Sequence, residues 1–191
     1  MAVLKTSSSR VLWTLALCAV LGPAARAEEG QSPPAALPEY VLKAGFLFNF
    51  AKYVEWPADA FPDAEAPLSI AVVGKDPFGE TLENAFRNKT VKGRTFSIRR
   101  FATVDDLKSC HILFIPLSEM GPLARIQDRV KSWATLTVGE SDGFCRSRGM
   151  ISILIENDRP RLQVNLEATE RAKLTIDTKL LKVAERVKAD P

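Results

Sequence analysis

Apolar positions between residues 40 and 56 crowd onto two adjoining helical faces, Val41, Phe48 and Ala51 on one and Leu47, Phe50 and Val54 on the next. That spacing predicts a helix buried on most sides, and Pro57 stops it. Past a Pro- and Ala-rich turn, residues 68–74 form a short β-rich run, and Asp76-Pro77 opens a helix through Phe86. Residues 95–101 alternate as a second strand, 110–115 are a nearly continuous apolar third, 117–133 are amphipathic and helical, and 135–138 make a fourth strand. Strands separated by helices predict a largely parallel sheet covered on both faces.

The carboxyl-terminal third breaks that rhythm. Residues 150–156 and 159–166 read as two strands joined by Asn157-Asp158, a pair suited to a two-residue hairpin turn. With Glu156 opposite Arg159, Ile151, Ile153, Leu162 and Val164 share one face, and Ser152, Leu154, Arg161 and Gln163 share the other. Residues 167–173 and 177–188 then read as helices, the last with a core-facing stripe of Leu180, Leu181, Ala184 and Val187. The expected fold is α/β: one domain over residues 39–188, a mostly parallel sheet with helices on both faces, and a C-terminal antiparallel hairpin.

The amino-terminal region follows a different logic. Lys5 and Arg10 precede an apolar stretch over residues 11–21, then Gly22-Pro23 and Ala25-Arg26-Ala27. This is the three-part layout of a cleaved secretory signal over residues 1–27, and the stretch is about half the ~20 residues that cross a bilayer. Residues 28–38 are Pro-rich and without periodicity, and read as a flexible lead. Cleavage changes the charge picture. The full chain carries 26 basic and 23 acidic residues; losing Lys5, Arg10 and Arg26 brings the bases to 23 and the net charge to zero. A neutral exported domain has no general electrostatic pull toward nucleic acid, and no nucleic-acid partner is expected.

Few residues are arranged for chemistry. Gly139-Glu140-Ser141-Asp142-Gly143 fits the GxSxG pattern of serine hydrolases, but a strand rather than a helix follows, and the one histidine, His111, precedes the serine. A single histidine also leaves the usual transition-metal sets incomplete, and no cofactor is expected. Gly74 to Gly79 occupies a strand-to-helix turn without the Lys-Ser/Thr of a nucleotide loop. Cys110 and Cys145 would enter an oxidising compartment. A bridge between them would contribute roughly 3–4 kcal/mol in the chain-entropy model, yet their expected places at opposite strand ends oppose it; a bridge and free thiols both stay open.

Several separate blocks in order resemble the YfiR family: Asn49 through Pro57 (NFAKYVEWP), Val72 through Gly79 (VVGKDPFG), Ser109 through Ile115 (SCHILFI), Leu136 through Phe144 (LTVGESDGF), Gly149-Met150-Ile151, and Val164-Asn165-Leu166 with Leu180-Leu181. The resemblance implies a periplasmic, non-enzymatic α/β domain that represses a membrane-bound diguanylate cyclase by binding its periplasmic portion. It also implies a second partner, an OmpA-like outer-membrane lipoprotein that sequesters the repressor. Related proteins with more cysteines carry them where this chain has Ala71 and Ser152. Each cysteine kept here therefore lacks its expected family partner, which leaves a rearranged bridge, a homodimer bridge or free thiols. The expected contact surface is the outer side of the hairpin, Leu154 among Ser152, Arg161 and Gln163; the alternative function is a periplasmic small-ligand sensor serving a histidine kinase or transporter.

Overall fold

A computed structural model describes residues 38–157 and 159–190. The expected leader and nearly all of the expected lead lie outside the described residues. The first helix, α1 (Glu39–Tyr53), buries Ala44, Leu47, Phe50 and Ala51. It ends three residues before the expected Trp56, because Val54–Glu55 extend as β1 and pair antiparallel with β8, Thr175–Ile176. Two-residue strands carry no periodicity, so neither is readable from sequence.

The main sheet takes its elements in chain order: β2 (Leu68–Val73), α2 (Glu80–Phe86), β3 (Phe96–Phe101), β4 (Ile112–Ile115), α3 (Leu123–Val130), β5 (Leu136–Gly139), β6 (Ile151–Glu156), β7 (Arg159–Val164), α4 (Leu166–Arg171), α5 (Thr178–Leu181) and β9 (Ala184–Arg186). Strand order is β3-β2-β4-β5-β6-β7-β9. Every pairing is parallel except β6 with β7. The hairpin has the expected register, Glu156 opposite Arg159.

Three larger differences from the sequence reading lie along the chain beyond α1. The helix expected from Asp76 begins at Glu80, since Asp76 Oδ1 accepts the Phe78 N–H at 2.8 Å and Phe78 turns into the core, edge-on to Tyr40 and Phe114. The long helix expected over 117–133 is a 3₁₀ turn, Leu117–Glu119, and a separate α3, with Gly121-Pro122 between them. The terminal helix expected over 177–188 stops at Leu181, and Ala184–Arg186 instead join β7 as a parallel edge strand. The cause is tertiary: β7 offers an open ladder, and pairing there satisfies more backbone groups than a frayed terminal helix would.

The sheet separates two apolar layers. On one face Ile70, Val72, Ile112, Phe114, Leu136, Val138, Ile153 and Leu162 pack under α1, α2 and α4. On the other, Ala71, Val73, Leu113 and Ile115 meet Leu123, Ile126 and Val130 of α3, with Phe144 and Cys145 from the loop after β5. Phe144 is wholly buried, and a Cβ on Gly139 or Gly149 would lie 2.4 or 2.2 Å from its ring. Both glycines are therefore required by close approach, and the loop is fixed by its aromatic residue. Asn165, also wholly buried, ties this loop to α4: its Oδ1 accepts from Ala168 N at 3.0 Å and its Nδ2 donates to Cys145 O at 3.0 Å.

His111 is a buried residue of this framework. Its Nδ1 accepts the Ser69 N–H at 3.0 Å, which leaves Nε2–H to donate to Ala60 O at 3.2 Å, and its ring stacks on Phe61 at 4.2 Å. Burial, with Arg94 and Arg99 nearby, holds its pKa below the ordinary value despite the bond to Ala60. The unfolded chain thus binds a proton that the folded one refuses. Stability from this group is complete above about pH 6.5 and is lost as pH falls through that value, at up to ~1.4 kcal/mol per pH unit. Denaturant unfolding between pH 7.5 and 5, both values chosen to bracket an ordinary histidine at about 6.5, should show this slope, and His111→Gln should remove its His-specific share.

Candidate partner-binding face

The hairpin register sets Ser152 opposite Gln163 and Leu154 opposite Arg161, so the four residues expected as a contact surface do share one face. That face is not bare. Ser152, Leu154 and Gln163 are 0, 7 and 2% exposed, and Arg161 alone keeps its side chain partly open at 38%. The loop after β5 lies over Ser152 and Gln163. Ser152 Oγ donates to Ser141 O at 2.7 Å, and Gln163 Nε2 donates to Asp142 Oδ1 at 3.0 Å. The α/β layering that covers the rest of the sheet continues here, with a loop where a helix would be.

Charge organises the rim of this cover. Arg161 donates to Asp142 at 3.1 Å, Glu156 at 2.7 Å and Glu185 at 3.0 Å, joining loop, hairpin and β9 through one guanidinium. Arg146 holds the second Asp142 oxygen at 2.5 Å. Hydrogen bonds from Arg146 and then Gln163 draw the Asp142 carboxyl below its usual range, and the bond to Glu156 raises Arg161. Arg161 Nε and Gln163 Oε1 are buried and have no hydrogen-bond partner among the described residues. What a macromolecule can reach is the alternating charge of Arg146, Asp142, Arg161, Glu156 and Glu185, whose side chains are 38–55% exposed.

A second polar cluster was not singled out by the sequence. Lys43 is 2% exposed on α1, where its amine meets Glu39 and reaches Glu140 Oε2 at 2.5 Å. Glu140 also accepts from Leu117 N at 2.8 Å and from the Tyr40 hydroxyl at 3.3 Å. Burial alone would depress Lys43, but the bonds from Glu140 and Glu39 outweigh it and raise its pKa. Burial and then the Glu140 charge raise Tyr40. The available signal is a lysine inside a largely apolar helix, about a hundred residues from its partner; only the fold joins them.

The remaining chemistry is placed plainly. Ser141 Oγ faces Met120 Sδ at 3.2 Å, while His111 is bonded to Ser69 and Ala60, so the GxSxG serine has no histidine base. Cys110 and Cys145 are free and buried, and burial pushes each thiol up to about 12. Among the described residues neither the bridge between them nor another disulfide to either is formed. Among the described residues no group of three or more His, Cys, Asp and Glu is placed to hold a metal ion, and no helix is long and apolar enough to cross a membrane. An open groove of about 960 Å³ runs between α3, α4 and the carboxyl-terminal tail, lined by Trp133, Arg148, Met150, Glu167, Arg171 and Asp190 among others.

No curated protein matches this sequence. The crystal structure of a conserved domain protein from Vibrio cholerae O1 biovar El Tor is similar over 63% of this chain and 55% of its own, at 13% identity and a TM-score of 0.49; this chain thus spans about half the length of that one. The family model described as YfiR/HmsC-like matches residues 40–185, from the first turn of α1 to β9. A match over that much of the chain, on a domain whose elements run in the order the sequence blocks imply, shows that this chain belongs to the YfiR/HmsC-like family.

Proposed function

We propose that this chain is a periplasmic protein that binds the periplasmic portion of a membrane-bound diguanylate cyclase and represses it, lowering cyclic-di-GMP and biofilm output. The observation that carries the reading is the family match over residues 40–185. Members of the YfiR/HmsC-like family are periplasmic regulators in cyclic-di-GMP signalling rather than enzymes. The site chemistry is compatible: the one serine in a hydrolase-like motif faces a thioether, and the buried charges are spent on one another. On this reading the expected leader delivers the domain to the periplasm, and an OmpA-like outer-membrane lipoprotein is the sequestering partner.

For the contact surface we take the charged rim of the hairpin face, with Arg161 at its centre and Ser152, Leu154 and Gln163 as the layer beneath. Complementary charge fixes register and partner choice more than raw affinity. Leu154→Asp would bury a charge and so report on folding, whereas Arg161→Glu acts where a partner can touch. Arg161→Glu should reduce capture of the cyclase's periplasmic domain about tenfold or more, a loss of ~1.4 kcal/mol or greater, in a protein that still unfolds cooperatively. Unchanged capture would reject this surface; failure of the wild-type protein to bind or inhibit any membrane cyclase encoded beside it would reject the function.

The groove between α3 and α4 supports a second reading, a small-ligand sensor, because it combines Trp133 with Arg148, Arg171 and Glu167 in one concave wall. A ligand at a hundred times its Kd would stabilise the protein by ~2.7 kcal/mol. Thermal-shift screening of anionic and aromatic periplasmic metabolites should then give a hit that Trp133→Ala abolishes. For the cysteines the expected result is inertness: a thiol reagent should label neither Cys110 nor Cys145 in the folded protein and both after denaturation. Rapid native labelling would show that the thiols are open to redox chemistry.

A further inference from the structure

A sheet of seven strands has two edges. One is β9, only three residues long, a shortness that guards an edge against pairing. The other is β3, six residues long, which among the described residues pairs only with β2.

The β2 ladder decides which β3 groups face outward. Thr95 O accepts from Leu68 N at 2.9 Å, and Phe101 O accepts from Gly74 N at 2.8 Å. Odd-numbered residues therefore address β2, and by the two-residue alternation of a strand the N–H and C=O of Phe96, Ile98 and Arg100 point to the open edge. Phe96 and Ile98 are half-buried side chains on the α1 and α2 side, and the Phe96 ring lies 4.7 Å from that of Phe86. Arg100 is on the same side, held by Asp76 at 2.7 Å and Glu83 at 2.5 Å.

We propose that β3 pairs antiparallel with β3 of a second copy of this chain, Ile98 facing Ile98, so that two sheets join edge to edge in a two-fold dimer. The register follows from hydrogen bonding and charge. Outward groups meet outward groups only if even-numbered residues face even-numbered ones. Placing Ile98 opposite Arg100 sets Arg99 against Arg99, and like charges directly opposed are destabilising; placing Ile98 opposite Phe96 sets Arg100 against Arg94, which lies outside β3, so that only two of the three outward residues of each strand are paired within it. With Ile98 on the axis, Phe96 faces Arg100, Ser97 faces Arg99, and all three outward residues of each strand are paired. Arg100 brings no unbalanced charge, because Asp76 and Glu83 already share it. The contact is self-complementary, as a two-fold interface must be. It does not rest on the proposed function, since the cyclase-binding rim involves β6, β7 and β9 at the far side of the sheet.

The test uses the full-length gene product, expressed with its leader and purified in the form the cell delivers. Sedimentation or light scattering over a concentration series should show a reversible dimer. Ile98→Pro removes an outward N–H and no bond to β2, and should give a folded monomer. Ile98→Cys should form a disulfide-linked dimer on oxidation, because facing residues of a hydrogen-bonded pair lie about 5.5 Å apart at Cα, within disulfide reach. Lys108→Cys, exposed and off the edge, should not. If Ile98→Pro fails to fold, the cysteine pair decides alone. The proposal is overturned by a wild-type protein that stays monomeric, including one whose β3 takes up a strand of a different protein. A dimer that Ile98→Pro leaves intact, absent linkage through Ile98→Cys, or equal linkage through Lys108→Cys would overturn it as well.

Discussion

Every residue of β2, β4 and β5 is buried, and that double-sided burial is the constraint from which the rest of this structure follows. Parallel strands covered on both faces are stabilised by apolar contact at roughly 25 cal/mol per Å², but they leave no water for the polar groups at their ends. Those groups must find partners inside the protein. His111 with Ser69 and Ala60, Thr135 with Cys110 O, and Asn165 with Cys145 O and Ala168 N are three such solutions, each made by one side chain bridging segments remote in sequence.

The same constraint explains how the cover beyond α3 is built. Among the described residues the loop after β5, rather than a helix, supplies the lid over the face of β6 and β7 opposite the main core, wedged by Phe144 against two glycines and tied down through Asp142. A loop has no stripe of its own to bury, and it is held instead by one aromatic anchor and by charge. Its outer surface is consequently polar and alternates in sign. Such a surface suits recognition of another protein, where complementary charge sets orientation.

Lys43 and Glu140 illustrate a different trade. Removing either partner would leave a buried charge uncompensated, a cost of several kcal/mol in comparable settings. The pair joins the first turns of α1 to the carboxyl end of β5 and, through Leu117 N, to the end of β4. It fixes where α1 starts on the sheet, a task that an apolar contact, being non-directional, performs less specifically.

The order of strands and helices, the parallel core and the hairpin register were legible in the sequence, because continuous apolar runs, breaks at Pro and Gly, and the two faces of residues 151–156 and 159–164 are local patterns that burial reads directly. The family blocks were legible for the same reason. Tertiary structure alone decided where Ala184–Arg186 would go, since Leu180, Leu181, Ala184 and Val187 have the spacing of a helix stripe, yet the segment finds an open ladder on β7. It also decided that Ser152 and Gln163 lie beneath a loop, that Leu154 beside them is buried, and that Lys43 meets Glu140. Those outcomes depend on which distant segment arrives to cover a group, and a linear pattern specifies only that a residue seeks cover.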